Sequence, residues 1–291
     1  PVMVIEAMKM EHVGVAGVAG HVRALAVGVG DTVREAQALL FIEPGDVAVA
    51  AQADDGEVDL DHIRPDLAEL QARLALTLDA ARPEAVAKRR KLGYRTAREN
   101  VGDLCDPGSF VEYGSLVIAG RRLRNSLDEL IRTTPADGMI TGVGRVNGEQ
   151  FGAEASRCVV LSYDYTVLAG TQGMKNHEKT DRLFELAEKW RLPVIYFAES
   201  GGGRPGDTDR VAGGGVFNTR AFALQGRLSA LVPQIGITNG RCFAGAAVLL
   251  GCCDVIIATE GSTIGIGGPA MIEGGGLGVY TPEEVGPVAM Q

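Results

Sequence analysis

Pro193-Val194-Ile195-Tyr196-Phe197-Ala198-Glu199-Ser200-Gly201-Gly202-Gly203-Arg204-Pro205-Gly206-Asp207 is a short apolar strand that runs straight into glycines. The length and β-branched content of 193–198 predict a buried strand, and the three glycines let backbone approach a ligand with no Cβ in the way. Working outward, residues 175–191 predict a helix whose Leu183, Phe184, Leu186, Ala187 and Trp190 form one apolar face. Downstream the cycle repeats, with a strand at 232–238, Gly240, a helix from Gly245, and a strand at 254–258. Upstream, 139–146 and 150–154 read as strands joined by an Asn147-Gly148 turn, and 158–167 as another strand region. Such alternation predicts an α/β fold that presents backbone N–H groups at the mouth of a sheet.

A second junction has the same character. Asn239-Gly240-Arg241-Cys242-Phe243-Ala244-Gly245-Ala246-Ala247 opens a helix with small residues and leaves its first N–H groups free. Free N–H groups suit an oxyanion, stabilising developing negative charge without an ionisable side chain. Small residues at a strand–helix turn also serve close packing alone. Neither glycine run ends in the Gly-Lys-Ser/Thr of a phosphate loop.

The N-terminal stretch has a different pattern. Ile5-Glu6-Ala7-Met8-Lys9-Met10-Glu11-His12 sets one lysine at a hairpin tip, with strand-type residues leading in from Val2 and out from Val13. A lysine in a turn is ordinarily just solvated, but two flanking thioethers add a flexible apolar grip for a modifying enzyme. Gly30-Asp31-Thr32-Val33 reads as a turn, and Gln37-Ala38-Leu39-Leu40-Phe41-Ile42-Glu43 alternates as a closing strand. Residues 45–56 read as linker; Leu67, Leu70, Leu74 and Leu78 predict an amphipathic helix over 65–80, ended by Pro83; a second helix spans 84–104.

Composition sets bounds. A chain of 291 residues with 46% hydrophobic content accommodates two domains, and 28 basic against 37 acidic side chains leave a net charge of −9. That balance argues against nucleic-acid or anionic-membrane partners, and Lys88-Arg89-Arg90-Lys91 reads as a solvated helix face. No apolar run approaches the roughly 20 residues that span a bilayer. Five cysteines without a CxxC pair, two of them adjacent at Cys252-Cys253 after an apolar run, read as buried, reduced thiols of a cytoplasmic enzyme. Four scattered histidines offer no metal-ligand spacing.

Two resemblances join these observations. Glu6-Ala7-Met8-Lys9-Met10 closely resembles the attachment sequence of biotinyl carrier domains, in which the lysine amine forms an amide with biotin. Residues 30–43 resemble the last turn and strand of such a domain, with Ala36 where the family usually has glycine. The motif stands almost at Pro1, so the resemblance implies half of a flattened all-β barrel, with an unpaired edge that disfavours folding alone. Residues 84–291 are similar to carboxyltransferase domains of biotin-dependent acyl-CoA carboxylases. The similarity is carried by Gly102-Asp103-Leu104-Cys105-Asp106-Pro107-Gly108-Ser109-Phe110, His177-Glu178-Lys179, Ser200-Gly201-Gly202-Gly203-Arg204, Arg241-Cys242-Phe243-Ala244-Gly245, Gly251-Cys252-Cys253-Asp254 and the run from Gly267 to Gly276.

The resemblance implies a crotonase-like spiral of ββα units and three parts: 1–43, the C-terminal half of a biotinyl carrier domain; 44–83, a linker with one helix; and 84–291, the acyl-CoA-binding half of a carboxyltransferase. By the family pattern Gly245 and Ala246 are the backbone oxyanion pair, Ala246 replacing a glycine but keeping its N–H. Gly201, Gly202 and Gly203 would line the acyl-CoA pocket. Arg204 would face a CoA phosphate or pin Asp207, and Lys179 with His177 would lie near CoA or on a helix surface. Biotin on Lys9 is the implied cofactor; ATP and Mg2+ enter only through a biotin carboxylase domain outside this chain.

In the reaction so implied, carboxybiotin releases CO2, the biotin anion takes the α-proton of an acetyl-, propionyl- or longer acyl-CoA, and the enolate attacks the CO2. Expected partners are the acyl-CoA, the biotin carboxylase and C-terminal carboxyltransferase domains, a biotin ligase and further copies in a homo-oligomer, with no nucleic acid or membrane. Two rival readings stay open at this point: a biotin-dependent acyl-CoA decarboxylase, and a non-catalytic carrier and docking fragment.

Overall fold

A computed structural model describes residues 1–46, 61–204, 206–207, 209 and 220–291. Most of the stretch read as linker, and most of the segment 205–219 that follows the Gly201–Gly203 run, lie outside the described residues. The chain divides into two compact units, Pro1–Ile63 and Arg64–Gln291. That boundary cuts the 44–83 segment, so its helix groups with the second unit.

In the first unit, β1 (Met3–Ala7) pairs antiparallel with β2 (Met10–Gly14) in the register Ala7↔Met10. Met8 and Lys9 are therefore a two-residue turn, and both have positive φ, 54° and 65°. This is the combination whose twist matches a hairpin, though side chains adopt it less readily than glycine. β3 (Gly20–Leu25) pairs antiparallel with β4 (Leu40–Pro44), with a register shift between Val22 and Ala24. A Cβ on Gly20 would lie 2.2 Å from the Glu43 carbonyl oxygen, so only glycine permits this pairing. None of residues 1–46 is buried; Met3, Ile5, Leu40 and Ile42 are partly covered, while Val4, Val13, Val22 and Phe41 are exposed.

The second unit opens with α1 (Pro65–Ala75), whose Leu67, Leu70 and Leu74 form the predicted stripe but stay half-exposed. The single helix expected over 84–104 is two helices, α2 (Pro83–Lys91) and α3 (Ala97–Leu104). Gly93, at φ 81°, turns the chain between them, and Thr96 with Glu99 builds a reciprocal capping box that starts α3 afresh. β5 (Val111–Glu112), α4 (Leu127–Thr133), β6 (Met139–Arg145), α5 (Gly148–Phe151) and β7 (Arg157–Tyr163) follow. Residues 150–154 thus belong to a helical turn and its exit, and β7 is the antiparallel partner of β6. The Asp106 carboxylate decides this: it accepts the Asn147 and Gly148 N–H groups at 3.0 and 2.8 Å and holds a helical turn where a tight hairpin was expected.

α6 (Met174–Trp190), β8 (Val194–Phe197), α7 (Ala221–Leu228), β9 (Gln234–Thr238), β10 (Arg241–Phe243), α8 (Gly245–Gly251), β11 (Val255–Ala258), β12 (Thr263–Gly265) and α9 (Pro269–Gly274) complete the unit. A six-stranded sheet runs β11-β9-β8-β7-β6-β5, parallel from β7 to β11, and β10 pairs with β12 beside it. The main core lies where α6 meets the sheet and α7: Leu183, Phe184, Leu186 and Ala187 are buried with Met139, Leu161, Tyr196 and Leu224. Trp190 ends the stripe half-exposed, with the Arg157 guanidinium 5.7 Å from its ring. Cys105, Cys158 and Cys242 are buried, as expected. Cys252 is exposed, because α8 stops at Gly251 and the next residue turns outward, while Cys253 is partly covered and packs against the main core.

Candidate active site

The two glycine-rich junctions converge. Ser200 N–H donates to Arg241 O at 2.8 Å and Phe243 N–H to Ser200 O at 2.9 Å, stitching the glycine run to β10. Ala244 then takes φ 56° and ψ −128°, a conformation that costs a side-chain-bearing residue about 1–3 kcal/mol. It is held there by Ala244 N–H to Gly265 O, 3.0 Å, and by its own carbonyl accepting Val248 N–H at 3.1 Å. The elbow starts α8 abruptly, so the N–H groups of Gly245 and Ala246 have no acceptor among the described residues. Gly202, at φ 100°, lies against the elbow, where a Cβ would come 3.2 Å from the Ala244 methyl. Of the three glycines Gly202 is thus brought against the elbow, whereas a Cβ on Gly201 would meet Ala169 O and Thr171 and one on Gly203 would meet open space.

Arg204 and Lys179 point elsewhere. Arg204 Nη1 lies 2.5 Å from Asp137 Oδ1 and 3.3 Å from Asp207 Oδ1, while Nη2 and Nε donate to Thr171. With every nitrogen committed internally, it pins Asp207, and Asp137 more tightly, and presents no donor to a phosphate. Those carboxylates in turn accept Asn176 N–H and Met174 N–H in the first turn of α6, where a helix favours negative charge. Lys179 is 7% exposed rather than on a helix surface; Nζ donates to Ala136 O at 3.1 Å and to Met139 O. Burial lowers its ammonium to about 8. Burial, then the Arg204 charge, also lowers the His177 imidazole.

A cavity of about 780 Å³ borders Glu199 and Gly240-Arg241, the residues that precede the two junctions, and is lined also by Arg82, Lys88, Arg89, Arg132 and Tyr165. At its wall both Arg89 Nη atoms meet the Glu199 carboxylate, and the guanidinium lies 4.6 Å from the Tyr94 ring centroid. Arg82 pairs with Asp164 and Arg241 with Glu283, whereas Lys88 and Arg132 have no ion pair among the described residues. The basic run 88–91 is therefore only partly a solvated face. Arg89 was missed by sequence reasoning; its i, i+3 spacing from buried Val86 is the one signal that would have found it.

In the other unit, Lys9 stands at the hairpin tip beside Met8, 89% exposed, and its amine has no partner among the described residues. An amine so placed fits a covalently attached group: nothing must be broken to reach it.

A strained elbow feeding unpaired N–H groups stands at the edge of a mixed α/β sheet, a geometry that suits an oxyanion. Residues 88–290 match the carboxyl transferase domain family, and this chain belongs to that family. Residues 1–42 match the family of biotin-requiring enzymes. The biotin-dependent long chain acyl-coenzyme A carboxylase beta4 subunit of Mycobacterium tuberculosis is 35% identical over 198 residues, 67% of this chain and 34% of the relative. A solved single-chain, multi-domain long-chain acyl-CoA carboxylase aligns with a TM-score of 0.75 and 51% identity, covering 99% of this chain and 27% of that one. Transcarboxylase 12S, a hexamer solved with hydrolysed methylmalonyl-coenzyme A, aligns at 0.63 and 27% identity, covering 79% and 42%. The chain spans about a third of the length of the curated relatives it matches. Among the described residues, no helix is long and apolar enough to cross a membrane.

Proposed function

We propose that this chain is part of a biotin-dependent acyl-CoA carboxylase, joining the end of a biotinyl carrier to the acyl-CoA-binding half of the carboxyltransferase. The observation that carries the reading is the pair of N–H groups on Gly245 and Ala246, unpaired behind the Ala244 elbow. They donate to the thioester oxygen as negative charge develops on it during loss of the α-proton, and such preorganised donors act without reorganising. Gly201, Gly202 and Gly203 let the ligand approach the backbone. Arg204 and Lys179 act from behind, the first tying Asp137 and Asp207 to α6, the second holding the left-handed 136–138 turn. Lys88 and Arg132, on the cavity wall, supply positive charge for the phosphate-bearing end of CoA. Lys9 is the attachment point for biotin, which when bound supplies a mobile carrier for the carboxyl group. A biotin ligase modifies Lys9, and the biotin carboxylase domain with its ATP and Mg2+, the C-terminal carboxyltransferase domain and further copies complete a cytoplasmic assembly. The acceptor is an acetyl-, propionyl- or longer-chain acyl-CoA.

The test is Ala246→Pro in the complete enzyme. Proline deletes the N–H and is tolerated in the first turn of a helix. The expected outcome is a fall in carboxylation rate of about 10²–10³, the usual loss for one oxyanion donor, with acyl-CoA affinity changed far less. A folded Ala246→Pro enzyme with normal turnover would make Gly245 and Ala246 packing residues only.

A further inference from the structure

Gln172 lies between the glycine run and the start of α8, and the reading above gives it no role. Its backbone is clamped to the run: Gln172 N–H donates to Gly202 O at 2.8 Å, and Gln172 O accepts Arg204 N–H at 2.9 Å. Its side chain is 3% exposed, and Nε2 donates to Tyr163 Oη at 2.6 Å. Tyr163 packs edge-on against Tyr196, ring centroids 5.7 Å apart, and burial pushes its phenol up to about 12, so it is a neutral, fixed anchor.

That anchor directs the other end of the amide at the site. A Cβ built on Gly245 would lie 2.5 Å from Gln172 Oε1, which has no partner among the described residues and is not one of the sealed, unpaired polar atoms of the interior. An acceptor with two lone pairs thus stands beside Gly245, the first residue of the donor pair. Gly245 is glycine because Gln172 occupies the space its side chain would need. Donors and an acceptor side by side complement a ligand that offers both an oxygen and an N–H; a ligand without the N–H leaves the acceptor idle after desolvating it.

We propose that Gln172 is a specificity-determining residue of this site, its Oε1 accepting the pantetheine amide N–H nearest the sulfur while Gly245 and Ala246 hold the thioester oxygen. The inference rests on the acyl-CoA reading above. This hydrogen bond forms in the bound substrate and persists in the transition state, so it governs KM rather than kcat.

The experiment compares an acyl-CoA with an analogue in which that amide N–H is replaced by an ester oxygen, in the complete enzyme. The wild type should prefer the N–H substrate by roughly 5- to 20-fold in KM, the range for one buried hydrogen bond. Gln172→Met keeps the length and removes the acceptor; its KM for the natural substrate should rise to that of the analogue, the preference vanishing and the loss falling in KM. Gln172→Glu keeps an acceptor at the same reach but sets negative charge beside the developing oxyanion, so it should retain the preference and lose kcat. Gln172→Met preferring the N–H substrate as strongly as wild type would overturn the proposal. If Gln172→Met fails to fold, a Gln172→Glu enzyme that has lost the preference overturns it equally. A wild type that neither binds nor turns over either thioester brings down the acyl-CoA reading itself, a distinguishable result.

Discussion

Arg89→Met should be among the most damaging single changes in the second unit. Both Arg89 Nη atoms meet Glu199, the two side chains are only 6% and 10% exposed, and Arg89 Nε also satisfies Arg95 O at 2.9 Å. Methionine fills much of the space and touches none of these acceptors, so a carboxylate is stranded indoors; removing one partner of such a pair costs roughly 3–5 kcal/mol. Trp190 is the only tryptophan and belongs to α6, so its fluorescence reports unfolding of this unit alone. With a urea dependence of about 2–3 kcal/mol per molar, the midpoint should fall by about 1–2.5 M at unchanged slope. The double variant Arg89→Met/Glu199→Gln strands no charge and should recover at least half of the loss. The pH dependence carries a sign. Burial already raises the Glu199 carboxyl, against the pull of Arg89. Without Arg89 the folded carboxyl rises further above its unfolded value, so the folded state holds the extra proton and the penalty shrinks as pH falls through that raised value. A loss below about 1 kcal/mol that is flat in pH would refute the reasoning, because it would mean water reaches the pair as it reaches surface ion pairs.

Lys179 gives a second pH signature. Its ammonium is lowered from 10.5 to about 8 by burial, so between those values the unfolded chain holds a proton that the folded chain has released. Wild-type stability relative to Lys179→Met should therefore rise with pH across that window, by up to about 3 kcal/mol, and stay level below it. Urea unfolding at pH 7.5 and pH 10 measures it, and equal differences at the two values would show an ordinary lysine. Lys9→Arg in a chain carrying the whole carrier domain should abolish biotin incorporation on co-expression with a biotin ligase, since arginine keeps the charge but lacks the nucleophilic amine. Streptavidin-detectable biotin on that variant would end the assignment.

The sequence by itself determined the features that depend on neighbours along the chain. The Met8-Lys9 tip follows from strand-type residues on either side of it, α6 from its apolar stripe, and the Gly245 junction from small residues between a strand and a helix. Ala36 fits the same logic: it adopts φ 62°, the left-handed conformation for which glycine is the usual residue. Tertiary structure decided what depends on groups far apart in sequence. Asp106 turned the expected 147–148 hairpin into a helical turn and handed the pairing with β6 to β7. Glu199 drew one arginine out of a basic run, and Asp137 drew Arg204 inward, because a buried charge is tolerated only against an opposite one. Gln172 faces Gly245 only because parallel strands bring successive strand ends to one edge of the sheet, where residues with no local relation share a site. A local pattern fixes which backbone an element adopts; which side chains it turns toward a ligand is set by partners that only the folded chain supplies.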